Sequence, residues 1–225
     1  MTLTEYPDLE QGSDEWLTAR RGIVTASVVG QLVTAKTIKV ATNDYSRALT
    51  ASLTAERITG YTEQTYMSDD MLRGTLDEPR ARAKYSERYA PVVELGFMVR
   101  DDWGFQIGYS PDGLVGDDGL IEVKSRRQKK HLQTILADQV PPENMAQMQA
   151  GLLVSGREWC DYISYCGGMP MWVKRVRPDP VWQGAIVAAV DVFETAAGVM
   201  VAAYEQATKG LAQTERVIEL EMRIA

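Results

Sequence analysis

The sequence predicts a mixed α/β fold: a central sheet of parallel and antiparallel strands flanked by helices, in one domain over residues 1–225. Three observations predict it. Capped helical segments fill most of the chain up to Tyr89, a meander of short apolar strands follows to Ser125, and two helices, two strands and a long helix complete the order. A chain of 225 residues is long enough to bury one substantial core.

Ser13 is placed to cap a short helix over Asp14 to Arg20, ended by Gly22. Thr25 is placed to cap a second helix over 26–33, before a loop over 35–42. A longer helix covers 43–59 and stops at Gly60. Ser68 opens the next helical stretch. Pro79 interrupts it, because proline lacks a backbone donor and disfavours helical backbone in the residue before it. The pattern therefore predicts a restart with Glu78 at a helix entrance and a run to Tyr89. Strands are expected over 92–99, 104–109, 113–115 and 120–125, the last two joined by Gly116-Asp117-Asp118-Gly119, a hairpin signal. Helices over 127–137 and 143–154 come next, the second opened by Pro141-Pro142 and closed by Gly156. Strands over 159–166 and 171–177 turn at Gly167-Gly168, and one long helix spans 180–207. In the tail, Ile218, Leu220, Met222 and Ile224 alternate with charged residues, the period of a half-buried strand. Residues 208–225 thus read as a tail used for packing or for contact with another subunit.

Hydrophobic residues make up 45% and charged residues 24%, ordinary for a soluble globular protein. The opening MTLTEYPDLEQ has neither a basic stretch nor an apolar one, so it does not read as a secretion signal. The longest apolar segment, 185–204, is interrupted by Asp191 and Glu194, so no membrane span is expected. Cys160 and Cys166 fall on one predicted strand, about 20 Å apart, too far for a disulfide. Both read as buried thiols in a reducing cytoplasm. His131 is the only histidine, which excludes a two-histidine zinc helix, and no C-x-x-C pair exists. Hydrolytic chemistry here must rest on carboxylates, lysine and a hard metal ion. The net charge of −7 argues against a nucleic-acid partner when taken alone. Basic residues nevertheless gather at Arg20-Arg21, from Arg80 to Arg88, and from Lys124 to Lys130, enough for a local basic channel.

The chemically informative segment is Ser110-Pro111-Asp112-Gly113 followed by Ile121-Glu122-Val123-Lys124. Glu122 and Lys124 stand two apart on a predicted strand and share a face, while Ile121 and Val123 point into the core. The short hairpin brings Asp112 beside them. Two carboxylates so placed repel unless a cation joins them, and oxygen ligands select Mg²⁺, with Mn²⁺ able to substitute. The Val123 carbonyl offers another oxygen. Lys124 has three open roles: holding the attacking water, deprotonating it if its own pKa is depressed, or stabilising charge on a phosphate.

The segment Pro111-Asp112 through Glu122-Val123-Lys124 resembles the core motif of the PD-(D/E)-x-K nuclease superfamily. More closely, the chain resembles the lambda exonuclease family, the YqaJ-like viral recombinases. Four further segments match in order: Gln11 to Ser27, Arg73 to Pro79 with Ala81 and Tyr85, Ser110 to Leu114, and Asn144 to Gln149. The resemblance implies a restriction-endonuclease-like fold. It implies Asp112, Glu122 and the Val123 carbonyl as metal ligands, Lys124 as the catalytic lysine, and Glu78 serving the metal directly or through water. It implies Gln147, in preference to Gln149, on the nucleophile side, and Arg20 with Ser27 binding a 5′-phosphate. The implied activity is 5′-to-3′ digestion of one strand of linear double-stranded DNA, in phage-type recombination. A homotrimeric ring and a single-strand annealing protein as partner are implied too. An endonuclease of the same superfamily and a non-catalytic DNA-end binding protein are the alternative readings. Arg126, Arg127, Lys129 and Lys130 directly follow the catalytic lysine. Cations at a helix start oppose its dipole, so these four are expected to grip the DNA backbone.

Overall fold

The computed structural model describes residues 2–63 and 67–217. The predicted tail strand lies outside the described residues. The fold is mixed α/β as expected, with its longer strands divided between two four-stranded sheets. The first holds β1 (Leu3–Tyr6), β5 (Phe97–Arg100), β6 (Ile107–Tyr109) and β2 (Val24–Thr25), in that order. The second runs β10 (Trp172–Val176), β9 (Trp159–Tyr165), β8 (Gly119–Ser125), β7 (Gly113–Val115). Within it β8 and β9 are parallel and the outer pairings antiparallel. An isolated antiparallel bridge pairs Val93, in the segment before β5, with Leu114 of β7.

Strand β8 carries the chemistry, and its burial explains its shape. Leu120 joins Cys160 and Tyr162 in a core shared with Met148, Ile186 and Phe193, whereas Ile121 and Val123 pack with Ile163, Ala81 and Tyr85. Both faces of the strand are covered, the usual state of a strand with parallel pairing. Helix α3 (Asp69–Arg88) covers one face; α5 (Pro142–Ser155) and α6 (Pro180–Ala207) back the other.

Three sequence expectations need correction, and a fourth element needs comment. Helix α3 is continuous through Pro79, and Glu78 lies in its interior. The helix buries Asp77, Ala81 and Tyr85, one stripe at four-residue spacing. Asp77 accepts from Ser125 Oγ at 2.7 Å, and the Tyr85 hydroxyl donates to Asp161 at 2.6 Å. These anchors on both sides of Pro79 outweigh the roughly 3 kcal/mol that an interior proline costs. The helix expected over 26–33 is absent. Val24-Thr25 instead pair with β6, a 3-10 turn covers Val29–Gln31, and β3 (Val33–Thr34) pairs with β4 (Lys39–Val40). Four valines in ten residues are stiff at χ1 and suit extended backbone better. The strand expected over 92–99 reduces to β5, because the amide of Gly96 donates to the Pro7 carbonyl and its Cα lies hard against Leu9. Finally, α6 is long and apolar enough to cross a membrane, with a mean hydropathy of 1.8 over its most apolar window. Its inner face nonetheless seats Trp182, Ile186, Val190 and Phe193 in the core. Its Glu194 accepts from both terminal nitrogens of Arg57 on α2 (Asp44–Thr59), each at 2.6 Å.

The caps follow the sequence closely. Ser13 accepts from Trp16 N at the start of α1 (Asp14–Ala19), Asn43 forms a capping box with Ser46, and Gly60 and Gly156 end their helices in left-handed backbone. Cys160 and Cys166 are free and buried. His131, buried on α4 (Gln128–Ala137), lies 2.8 Å from Ser164 Oγ and 2.9 Å from the Pro170 carbonyl, a structural role that leaves it out of any site.

Candidate active site

Asp112, Glu122, Lys124 and Gln147 come together where β7, β8 and α5 meet. Asp112 sits just before β7, and its Oδ2 accepts from the Val123 amide at 2.6 Å, which fixes the loop to the catalytic strand. Lys124 Nζ lies 2.6 Å from Glu122 Oε1 and donates to Gln147 Oε1 at 3.0 Å. The Glu122 carboxylate is fully buried: Oε1 is ion-paired with Lys124, and Oε2 has no hydrogen-bond partner. A buried carboxylate whose second oxygen has no partner is costly, and together with Asp112 it outnumbers the single Lys124 ammonium, so a hard cation fits here.

The electrostatics agree. Burial pushes the Asp112 carboxyl well above the usual carboxylate range, and the nearby charges of Glu122 and Glu78 push it further. Burial also raises Glu78, with Arg82 opposing and Glu122 adding to the rise. Lys124 moves up: burial alone would lower it, but Glu122 and Asp112 outweigh that. These two carboxylates are the ones proposed to hold a metal ion, so their pull on the Lys124 ammonium belongs to the metal-free site.

Hard oxygen donors are what this corner holds. Among the described residues no group of three or more His, Cys, Asp or Glu side chains is placed to hold a metal ion. The protein's donors would be the Asp112 and Glu122 carboxylates and the Val123 carbonyl, with water completing the shell, as Mg²⁺ prefers. Glu78 lines a cleft of about 520 Å³ with Asp112, Trp16, Gln11 and Arg82. There Arg82 Nη2 donates to Glu78 Oε1 at 2.6 Å, and Nη1 pairs with Glu94.

Arg20 and Ser27 are also brought together. Arg20 Nη2 donates at 3.1 Å to both Ser27 Oγ and Thr25 Oγ1, and its guanidinium stacks 3.9 Å from the centroid of Trp16. Burial brings its pKa down to about 10 against the opposing pull of Glu56. No carboxylate lies within ion-pair distance of it among the described residues. A half-buried guanidinium served only by two hydroxyls and a ring is short of an anion.

The four residues expected on the DNA backbone do not behave alike. Arg126 turns inward and donates to Asn144 Oδ1 at 2.6 Å and Tyr162 OH at 3.1 Å. Arg127 pairs with Asp70 and Lys130 with Glu143, while Lys129 is exposed. Gln149 is buried and structural: it donates to the Arg177 carbonyl and accepts from the Asp179 amide. Sequence reasoning missed Thr25, read as a helix cap, and did not single out Trp16 within the matching segment Gln11 to Ser27. It also missed Ser110, whose hydroxyl accepts from Trp16 Nε1 at 2.9 Å. Ser110 stood inside the motif, so proximity to Asp112 was the available signal.

This fold and this carboxylate–lysine corner define a restriction-endonuclease-like protein. The chain belongs to the family of the YqaJ-like viral recombinase domain, whose model matches residues 15–158. It is similar to the crystal structure of an alkaline exonuclease, LHK-Exo, from Laribacter hongkongensis, at 32% identity and a TM-score of 0.79, covering 89% of this chain and 100% of that one. The same enzyme in complex with dAMP matches at 33% identity and a TM-score of 0.78, with the same coverage. A phage-related exonuclease from Haemophilus somnus 129PT shares the fold, at 11% identity, a TM-score of 0.64 and coverage of 81% and 96%. No curated protein matches significantly.

Proposed function

We propose that this chain is a Mg²⁺-dependent 5′-to-3′ exonuclease that degrades one strand of linear double-stranded DNA. It leaves a 3′ overhang for a single-strand annealing partner in phage-type recombination. The observation that carries the reading is the buried Glu122 carboxylate, paired with Lys124 through one oxygen and beside Asp112, in a chain whose 32%-identical relative is an exonuclease. Asp112, Glu122 and the Val123 carbonyl would hold Mg²⁺, or Mn²⁺ in its place. When bound, the ion supplies charge neutralisation at the scissile phosphate and a more acidic water.

The protein's own residues do the rest. Lys124, held as an ammonium, donates towards the phosphate, and Gln147 orients that ammonium through its 3.0 Å hydrogen bond. Glu78 adds negative charge at the metal side, held in place by Arg82. Arg20, with Ser27 and Thr25, takes the 5′-phosphate, which makes cleavage dependent on an end. A homotrimer in the cytoplasm of a bacterial host fits the family. The outer face of α6, where Val181, Val192 and Val199 are 64%, 52% and 67% exposed, is a surface available for subunit contact.

The test is digestion of linear duplex carrying one labelled 5′-phosphorylated strand, with Mg²⁺, with EDTA, and with Lys124→Ala, against a closed circle. Mononucleotides released only with Mg²⁺ and Lys124, with the circle intact, support the reading. A cut circle favours the endonuclease. No cleavage with retained end binding leaves a DNA-end binding protein.

A further inference from the structure

Asp70, in the first turn of α3, reaches across to the segment that follows the catalytic strand. Its Oδ1 accepts from Arg73 Nη1 at 2.5 Å and from Arg127 Nε at 2.9 Å, so two guanidinium groups from separate elements converge on one oxygen. Arg73 is further fixed by a 3.1 Å hydrogen bond from its Nε to Ser125 Oγ, and Ser125 is tied to Asp77. Ser125 directly follows Lys124, so the arginine pair stands one residue beyond the candidate active site. All three members are open to solvent: the side chains of Asp70, Arg73 and Arg127 are 55%, 32% and 70% exposed.

We propose that Arg73 and Arg127 form a site for one backbone phosphodiester of duplex DNA, and that the Asp70 carboxylate occupies it in the free protein. The proposal rests on the nuclease reading above. A carboxylate and a phosphodiester each present one negative charge and oxygens that suit a guanidinium fork. Exposed ion pairs are weak, so Asp70 is readily displaced. A DNA phosphate that replaces it regains both contacts and also releases counterions from the duplex. Asp70 therefore holds the two arginines in place while competing with any phosphate that approaches them. That arrangement also answers how a chain of net charge −7 can follow a polyanion: its basic residues are masked locally rather than lacking.

The experiment is equilibrium binding of a 5′-phosphorylated duplex in Ca²⁺ across a salt series, for wild type, Asp70→Asn and Asp69→Asn. Asp69 is the exposed neighbour on the same turn and has no part in the arginine pair, so it reports the general effect of removing one negative charge. Asp70→Asn should tighten binding roughly three- to tenfold at a nearly unchanged log–log salt slope, because the same phosphate is contacted once Asp70 has been displaced. Asp69→Asn should give a smaller gain at an unchanged slope. Adding Arg73→Gln and Arg127→Gln to Asp70→Asn should erase the gain and flatten the salt slope by about 0.9, one phosphate's worth. Equal effects of the two aspartate substitutions, or weaker binding with Asp70→Asn, overturn the proposal while the nuclease reading stands. If neither wild type nor Asp70→Asn binds duplex at low salt, both readings fall.

Discussion

The Trp16 indole donates to the Ser110 hydroxyl at 2.9 Å, joining α1 to the loop that carries Asp112. The same ring supports the Arg20 guanidinium on its face. One side chain thus connects the candidate phosphate pocket with the candidate metal site. Trp16→Phe keeps an aromatic face and removes the donor. It should cost about 1 kcal/mol of stability and reduce discrimination between 5′-phosphate and 5′-hydroxyl ends. Thermal denaturation and paired cleavage rates on the two ends check this; unchanged discrimination would show that the link is only structural.

Lys124→Ala should slow single-turnover cleavage by about 10²–10³-fold and leave duplex binding in Ca²⁺ near wild type. Gln147→Ala removes one acceptor of the same ammonium and should slow cleavage only about fivefold, the worth of one hydrogen bond. Gln149→Ala should instead lower stability, since it strips partners from Arg177 and Asp179. Equal kinetic loss from both glutamines would contradict the placement of Gln147.

Asp112 makes stability depend on pH in a definite direction. Folding raises its pKa, so the folded state holds this proton more tightly than the unfolded chain does. Its contribution is complete below the unfolded pKa and is lost as pH rises through the folded one. In EDTA, stability should therefore decline from about pH 4 upward by more in wild type than in Asp112→Asn. Saturating Mg²⁺ should recover it for wild type alone. Scanning calorimetry over pH, with and without Mg²⁺, measures this. A decline equal in the variant would refute the assignment.

Gly96→Ala tests the framework. An added methyl would stand 1.8 Å from the Leu9 carbonyl oxygen, a backbone atom that cannot swing aside. The segment from Pro7 to Gln11 lines the cleft beside Glu78 and Asp112, so the shift should reach the site. A loss of about 1–3 kcal/mol in urea unfolding is expected, together with reduced cleavage. Wild-type stability would mean that the segment moves freely.

The legible part of this fold was local. Ser13, Asn43, Gly60 and Gly156 stand where their caps are, because a cap needs only its own few neighbours. The pairing of Glu122 with Lys124 was legible for the same reason, since two-residue spacing on a strand fixes a shared face. Pro79 misled because the forces that keep α3 straight come from β8 and β9, remote in sequence. Val24-Thr25 misled likewise: their partner is β6, some 80 residues away, and Thr25 spends its hydroxyl on Arg20 rather than on a helix start. The inward turn of Arg126 was hidden too, since Asn144 and Tyr162 reach it only through the fold.

Strand β8 is hydrogen-bonded to neighbours along both edges and covered on both faces, whereas α1 buries none of its residues. Local opening costs little where few contacts must be broken and approaches the global unfolding free energy in a sheet interior. Amide exchange should therefore be slowest in the strand carrying Glu122 and Lys124 and fast along α1 up to Arg20. Under the proposed function the molecule would pair a stiff chemical centre with a compliant sensor: the element proposed to meet a DNA end can breathe on its own while Glu122 and Lys124 keep their spacing.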